Sequence, residues 1–558
     1  MIGKWRAVQL LLVCSHTAVV GAFLSPPRVP GAAAGPSMPR PRAQDGHDCP
    51  SAGLEAGVGA GKDVQQLDSG ARESAAAAVE DVMGEEEEEV YPIWEGMEEF
   101  EAGERDVEDL PVAGVVVVDP FCDYLGKRAI GLFREAGYAV VKVLSDSLVK
   151  HLGEGAQVFR APPPGQGLLW AEFLPFPLVG VVCESDAGLA TAERLQAELL
   201  GSGSCSVNEA RRDKYLMTEA LRAAGMATAR QVKTGDWEEV EAFLRSLGPH
   251  QKAPEVAAAG VSPSATHSSA AGVRSVVKPA RGVASGDVFL CRGLEEARER
   301  FQEVLGTPKY GCPGERNDQV LVQEFLEGTE YVVDSVSHVG EHKVIAVWRY
   351  DKRPANGAPF VYHCTELRPL GGVDEQQIVD YTLRALDALG IKSGPVHTEV
   401  MLTRDRGPCL IEVNTRWHLT DAAPLTRRCL GPSSDMVKAA VAAVMAAAGD
   451  REGWEEVPSL PPTEKGSLYL LDRGRVVHLV SHTHGRLVRL NHLEEVEAML
   501  SFFRMDVYPG FASPGGRVRK TKDIRSDAGW VQLAHADEGV VLRDYKRLVE
   551  LMPSMFEV

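Results

Sequence analysis

The stretch HTEVMLTRDRGPCLIEVNTRWH, residues 397–418, constrains the fold more tightly than any other. HTEVML and CLIEVNTR each read as a short strand, and the polar link around Asp405 and Arg406 reads as the turn between them. A turn centred there sets Glu399 directly opposite Glu412. Side chains on a strand repeat every second residue, so Glu412, Asn414 and Arg416 share a face. Opposed residues stand with their Cβ atoms about 5 Å apart, where like charges repel. Two carboxylates and an amide oxygen at that spacing suit hard divalent cations, which take oxygen ligands. Two such ions about 3.5–4 Å apart would clamp a transferring phosphoryl group, and Arg416 adds a planar cation for phosphate or carboxylate. A hairpin whose glutamates simply face water is the competing reading.

The 558 residues leave room for about three domains. A net charge of −20, with the Glu85–Glu89 run supplying a share of it, argues against nucleic acid or an anionic membrane as partner. The ten cysteines form no C-x-x-C pair and no Cys/His tract, so reduced structural thiols are expected rather than disulfides or zinc. Residues 1–22 carry Lys4 and Arg6 followed by an apolar run, as a signal peptide does, and the stretch to residue 44 is Pro/Ala/Ser-rich with Arg28, Arg40 and Arg42. Signal and transit-like tract, joined at Phe23, resemble the bipartite plastid presequence of algae with secondary plastids. A secretory signal with a propeptide is the alternative. Residues 45–110 are poor in apolar side chains and read as an acidic disordered linker.

From VAGVVVVDP (112–120) strands and helices alternate, through YLGKRAIGLFREAG, AVVKVLS, LVGVVCES and AGLATAERLQAELL. That pattern predicts a small open α/β domain over 111–206. It has no G-x-G-x-x-G, so it is not expected to hold a dinucleotide. The loop Glu184–Asp186 follows a strand's carboxyl end, where such folds bind ligands, although helix capping by Ser185 or Asp186 explains it as well. A second region, 207–449, opens with RRDKYLM and holds a Pro/Ala/Ser-rich insertion at 249–274. SVVKP and the loop ARGVASGD follow, where Lys278 and the small residues Gly282, Ser285 and Gly286 suit a phosphate-cradling loop or a plain turn. VLVQEFLEGTEYVVDSVSH bends between Glu324 and Gly328, KVIAVWRYDKRP continues the sheet, and FVYHCTELRP reads as another edge. The C-terminal stretch, 450–558, reads as a small β-rich lobe.

RRDKYLM, VVKP with its glycine loop, QEFLEGTEYVVD, HTEVML and IEVNTR, in that order, resemble the ATP-grasp superfamily, and within it carboxylate–amine ligases similar to L-amino acid ligases. The resemblance covers about 112–558. It implies an α/β and α+β multidomain chain with the ATP-grasp fold, an N-terminal open α/β domain and a C-terminal ligase lobe. It also implies ATP with Mg2+, or Mn2+ in its place, and small carboxylate and amine substrates, with homodimers common among such ligases. By the same resemblance Lys214 and Lys278 contact the phosphates, and the loop from Arg281 through Gly282, Ser285 and Gly286 closes over them. Gln323, Glu324, Phe325 and Leu326 form the adenine hinge, and Glu330 holds the ribose. Glu399, Glu412 and Asn414 bind the metal, Arg416 and Lys278 act in catalysis, and His363, Glu366, Arg368 and Arg416 meet the substrate. Two departures stand out: ARGVASGD is not a close copy of the usual lid, and Trp417-His418 replaces the Pro-Gly-Gly often found after the arginine. An acceptor other than an amine, or a nucleotide-binding regulator without turnover, remain as rival readings.

Overall fold

The computed structural model describes residues 113–145, 160–201, 207–248, 272–282, 286–310, 312, 314–418, 420–458 and 470–558. The expected presequence, the acidic linker, residues 249–271 of the insertion and Ser285 lie outside the described residues. Strands β1 (Gly114–Val118), β2 (Ala139–Val143) and β3 (Leu178–Cys183) form a parallel sheet in the order β2-β1-β3, with helices α1 (Gly126–Glu135) and α2 (Leu189–Leu199). Val115 and Val117 pack with α1 while Val116 and Val118 pack with α2, so both faces of the sheet are covered. That double burial is why β1 reads as an unbroken apolar run.

Helix α3 (Lys214–Ala223) starts at Asp213, whose carboxylate accepts the N–H groups of Tyr215 and Leu216, and it stops at Gly225 with φ +72°. Strands β4 (Gln231–Thr234), β5 (Arg274–Lys278), β6 (Phe289–Arg292) and β7 (Val320–Glu324) make a small antiparallel sheet in the order β4-β7-β5-β6. Helices α4 (Trp237–Leu247) and α5 (Leu294–Val304) cover one of its faces, burying Val240, Leu244, Phe301, Val277, Val320 and Val322. Strand β5 begins at Arg274, inside the stretch expected to be an insertion, because Arg274 pairs with Arg292 across β6 and with Glu327 beyond β7.

The chain then passes straight from the small sheet into a large one. Strand β7 ends at Glu324 and β8 (Gly328–His338) begins after three intervening residues. β9 (Glu341–Ala355), β10 (Ala358–Arg368), helix α6 (Val373–Ala388), β11 (Gly394–Thr403) and β12 (Gly407–Asn414) follow. Helices α7 (Ala423–Leu430) and α8 (Met436–Ala447), strands β13 (Arg473–His478), β14 (Phe502–Val507) and β15 (Gly529–His535), and helix α9 (Glu538–Met555) complete these elements. The eight strands run in the order β12-β11-β8-β9-β10-β13-β15-β14. β10 is therefore interior, not the edge its sequence suggested: Cys364, Thr365 and Glu366 pair with Val477, Val476 and Arg475. The C-terminal strands extend the central sheet, which seals an edge that would otherwise expose unpaired backbone groups. Helix α8, rich in alanine, lies close against the N-terminal sheet, and a Cβ on Gly180 would meet Val444 Cγ1 at 2.3 Å.

Gly328 marks where the chain enters the large sheet. A Cβ there would stand 2.1 Å from the carbonyl oxygen of Leu402, which is backbone and cannot swing aside. Gly328→Ala is expected to destabilise the protein by about 1–3 kcal/mol through overpacking, read as a lower urea midpoint. An unchanged midpoint would show that the β8–β11 edge yields freely.

Candidate functional site

The hairpin forms as its sequence demands. β11 and β12 pair antiparallel with Glu399 opposite Glu412, Thr398 opposite Val413 and His397 opposite Asn414, and a bulge follows Glu399. β8 lies on the other side of β11, placing Val332 against Glu399 and Glu330 against Met401. The side-chain period then gathers Glu330, Asp334, His397, Glu399, Glu412 and Asn414 on one face of three adjacent strands. From β9 the same face receives Trp348, Tyr350 and Lys352, since Trp348 pairs with Val332.

Lysines neutralise this acidic face. Lys214, at the start of α3, reaches Glu412 Oε1 at 2.7 Å and donates to the Gly282 carbonyl at 2.7 Å. Lys352 Nζ lies 2.5 Å from Glu330 Oε1 and 3.9 Å from Glu399 Oε2, and it sits over the rings of Tyr350 and Tyr362. Glu330 and Glu399 are themselves hydrogen-bonded carboxyl to carboxyl. Burial raises the Glu330 pKa against the pull of Lys352, whereas Glu399, against its own burial, is held low by Lys352 and His397. Lys278, at the end of β5, is 6% exposed and no carboxylate stands within ion-pair distance among the described residues. Burial, and then the neighbouring Lys214, push its ammonium down to about 8, while Glu412, Glu399 and Glu330 pull the other way. A buried ammonium on the open side of a carboxylate cluster is a place for an anion.

The connection between the sheets roofs this cleft. Gln323 is buried and donates to Gln231 at 2.8 Å. The side chain of Glu324 alternates to the opposite face. There it takes the Arg230 N–H at 2.8 Å and pairs with Arg230 and Arg406 at 2.9 and 2.6 Å, so it braces the hinge and does not line it. Phe325 stacks beneath the Arg274 guanidinium at 5.0 Å, and Leu326 is half-buried beside it. Gly282 meets Lys214 through its carbonyl with the Gly286 carbonyl beside it, but Arg281 turns to Glu209 and Cys312.

Four further expectations need correction. Glu366 and Arg368 lie on the other face of the large sheet, because Glu366 opposes Arg349 while the cleft-facing Tyr350 opposes Thr365. They belong to an ion network with Arg349, Arg475 and Glu375. His363 sits in the bulge between Tyr362 and Cys364, among Asp351, Arg353 and His482. The bulge changes the alternation, and Tyr362 is the residue that reaches the cleft. Arg416 lies past the end of β12 and is not an open fork: Nε and Nη2 hold Asp186 at 2.7 and 2.9 Å, and Nη1 donates to the Trp417 carbonyl. A guanidinium this buried needs a counter-charge, and the loop after β3 supplies it. Ser185 of that loop accepts the N–H of Gly188, the residue ahead of α2, at 2.8 Å, while α2 itself starts with no side-chain cap. Glu184 fills the N-terminus of α1, taking N–H groups from Phe121, Cys122 and Gly126, which leaves that helix no room for a phosphate.

Lys352 and His397 were legible as cleft residues from strand alternation alone, Lys352 with Trp348 and Tyr350, His397 with Glu399. His397 Nε2 stands 3.1 Å from Glu399 Oε1. Asp334 and His418 join through tertiary packing that no local pattern announces.

Comparison with known proteins agrees with this architecture. Residues 272–420 match the family model described as ATP-grasp domain. The chain is 28% identical over 329 residues to dapdiamide A synthase of Enterobacter agglomerans, spanning 57% of this chain and 70% of that protein. It is 24% identical over 254 residues to alanine–anticapsin ligase of Bacillus subtilis, spanning 42% of this chain and 47% of the relative. The L-amino acid ligase of Bacillus licheniformis superposes with a TM-score of 0.53 at 16% identity, over 78% of this chain and 97% of that one, and so shares the fold. The chain thus carries an ATP-grasp domain over residues 272–420, and beyond it is similar to ATP-dependent ligases that form carbon–nitrogen bonds.

Proposed function

We propose that the protein uses ATP to convert a small carboxylic acid into an acyl-phosphate and passes the acyl group to an amine, with an amino acid on at least one side. The observation that carries this reading is the convergence of Lys214 and Lys278 on Glu330, Glu399 and Glu412, beneath a hinge between two sheets. In the first step a carboxylate oxygen attacks the γ-phosphorus and the bond to the β-phosphate oxygen breaks, releasing ADP. In the second the amine nitrogen attacks the acyl carbon, phosphate leaves, and the nitrogen gives up a proton. An amino acid as substrate is supported by the names of the relatives, one a ligase of alanine with anticapsin and one an L-amino acid ligase.

The donor set fits a hard cation. Glu330 and Glu399 meet carboxyl to carboxyl, Glu412 stands opposite Glu399, and all the donors are oxygens, the chemistry that Mg2+ or Mn2+ prefers. Held by Glu399, Glu412 and Asn414, the ion would supply charge neutralisation at the triphosphate. The chain's own residues do the rest. Lys214 and Lys278 bind phosphate oxygens, Gln323 and the 325–327 connection receive the base, and Lys352 keeps Glu330 and Glu399 in place. Asp186 fixes Arg416 at the rim on the acyl side. Most of the rate would come from this positioning in a closed, dry cleft. Delivery to a plastid is part of the proposal and rests on the composition of residues 1–44. A fluorescent protein carrying those residues should enter the plastid, and its secretion would overturn that part.

Glu412→Gln and Lys278→Met should each lower kcat/KM for amine-dependent ADP release by about 10²–10³-fold, as removal of one preorganised charge contact does. Circular dichroism should report an unchanged fold. Wild-type turnover in either variant would end the assignment. The depressed ammonium of Lys278 gives a second, signed expectation. Its charged form binds phosphate, so ATP affinity should hold below about pH 7 and fall as pH rises through about 8, by at most about tenfold per pH unit for one linked proton. Lys278→Arg should flatten that decline in a titration monitored by calorimetry. A wild-type affinity independent of pH from 7 to 9 would show that Lys278 does not carry the phosphate.

A further inference from the structure

Beside the oxygen-rich cleft lies a second cluster of different chemistry. Asp334 on β8, His397 on β11 and His418 beyond β12 each offer a ligand atom, all within 4.8 Å of one another, and all three side chains are buried. His397 Nδ1 stands 3.4 Å from Asp334 Oδ1, and His418 Nδ1 stands 3.3 Å from Oδ2. Trp348 Nε1, a plain hydrogen-bond donor to the same carboxylate, comes in to 2.6 Å. Both imidazole contacts are longer than the Trp348 contact to the same carboxylate. Metal–ligand bonds of about 2.0–2.1 Å in a tetrahedral site put neighbouring donor atoms about 3.3–3.4 Å apart.

The surroundings have the form of a metal site's outer layer. The far nitrogen of each ring is engaged: His418 Nε2 with the Tyr350 hydroxyl at 3.0 Å, and His397 Nε2 with Glu399 at 3.1 Å. Trp348 fixes the carboxylate from behind. Glu399, which can only accept when ionised, selects the His397 tautomer whose Nδ1 is free to bind, and the Tyr350 hydroxyl orients the His418 ring. A cavity of about 20 Å³, bordered by Asp334, His418, Thr420, Ala422 and Thr426, adjoins the cluster and has room for one water. Three protein ligands and an adjoining water are what a four-coordinate ion needs. Two imidazoles and one carboxylate select a borderline transition metal over magnesium.

We propose that Asp334, His397 and His418 bind a transition-metal ion, zinc by ligand chemistry, separate from the ion of the carboxylate cleft. The ion ties the segment after β12, which carries Arg416, to β8 and β11.

Elemental analysis of the purified full chain, expressed with zinc in the medium, tests this directly. About one zinc per chain is expected, and Co2+ added after chelation should give the visible absorbance of a tetrahedral site with nitrogen ligands. His418→Ala should abolish both, and Glu412→Gln should keep both, because Glu412 belongs to the other cluster. Should His418→Ala fail to fold, the wild-type cobalt spectrum still decides. Less than about a tenth of an equivalent of zinc together with no cobalt absorbance would overturn the proposal. So would zinc retained in folded His418→Ala protein.

Discussion

Two carboxylates set face to face on adjacent strands are the constraint around which this molecule is arranged. Glu399 and Glu412 occupy opposed positions in β11 and β12, and Glu330 adds a third carboxyl in contact with Glu399. In water such a grouping would disperse; in a half-buried cleft it persists only if cations are fixed beside it. Each cation comes from a different part of the chain: Lys214 from the start of α3, Lys278 from the end of β5 and Lys352 from near the end of β9. Charge compensation thus draws a helix, the small sheet and the large sheet to one point. The compensation is deliberately incomplete on one side. Lys278 is buried with its charge only loosely matched, which is how a site for a highly charged anion differs from a closed salt-bridge network.

The passage from β7 to β8 gives that point its shape. A single strand path leaves one sheet at Glu324 and joins the other at Gly328, so the two sheets face each other across a short hinge. Alternation decides what each hinge residue does. Gln323 faces the cleft, and Glu324 faces Arg230 and Arg406, which lock the hinge from outside. Gly328 enters where the backbone of Leu402 leaves no room for a side chain. The conformation of the roof is therefore set by ion pairs and backbone contact outside the cleft. The cleft face is left free for recognition.

Most of this was readable from local pattern. The hairpin register followed from one turn and a two-residue period, so Glu399, Glu412 and Asn414 fell together as expected. The parallel sheet followed from the apolar run of β1 and its alternation with helices. What local pattern missed has physical causes. The bulge at His363 shifted the parity of β10, so Tyr362 took the cleft position expected of His363, while plain alternation puts Glu366 and Arg368 on the face away from Tyr350. The C-terminal strands look like a separate lobe, because nothing in GRVVHLV states that its partner is β10. The meeting of Asp334 with His397 and His418 depends on strand order β12-β11-β8, a non-local fact.

The Asp186–Arg416 pair shows why the N-terminal sheet is present at all. The sheet binds no phosphate through α1, because the carboxyl of Glu184 already fills that helix's N-terminus. What it brings to the cleft is a buried bidentate contact to the residue just past the hairpin. Breaking a buried pair by removing one partner leaves an uncompensated charge, at a cost of about 3–5 kcal/mol. Arg416 therefore cannot swing freely toward a substrate. It is held at a fixed angle by one sheet while Glu412 and Asn414 are held by another. Packing of α8 against Gly180 keeps those two sheets in register. An arginine pre-positioned in this way pays little entropy on meeting an anionic group, and a donor fixed before the charge develops is the arrangement that stabilises a transition state most.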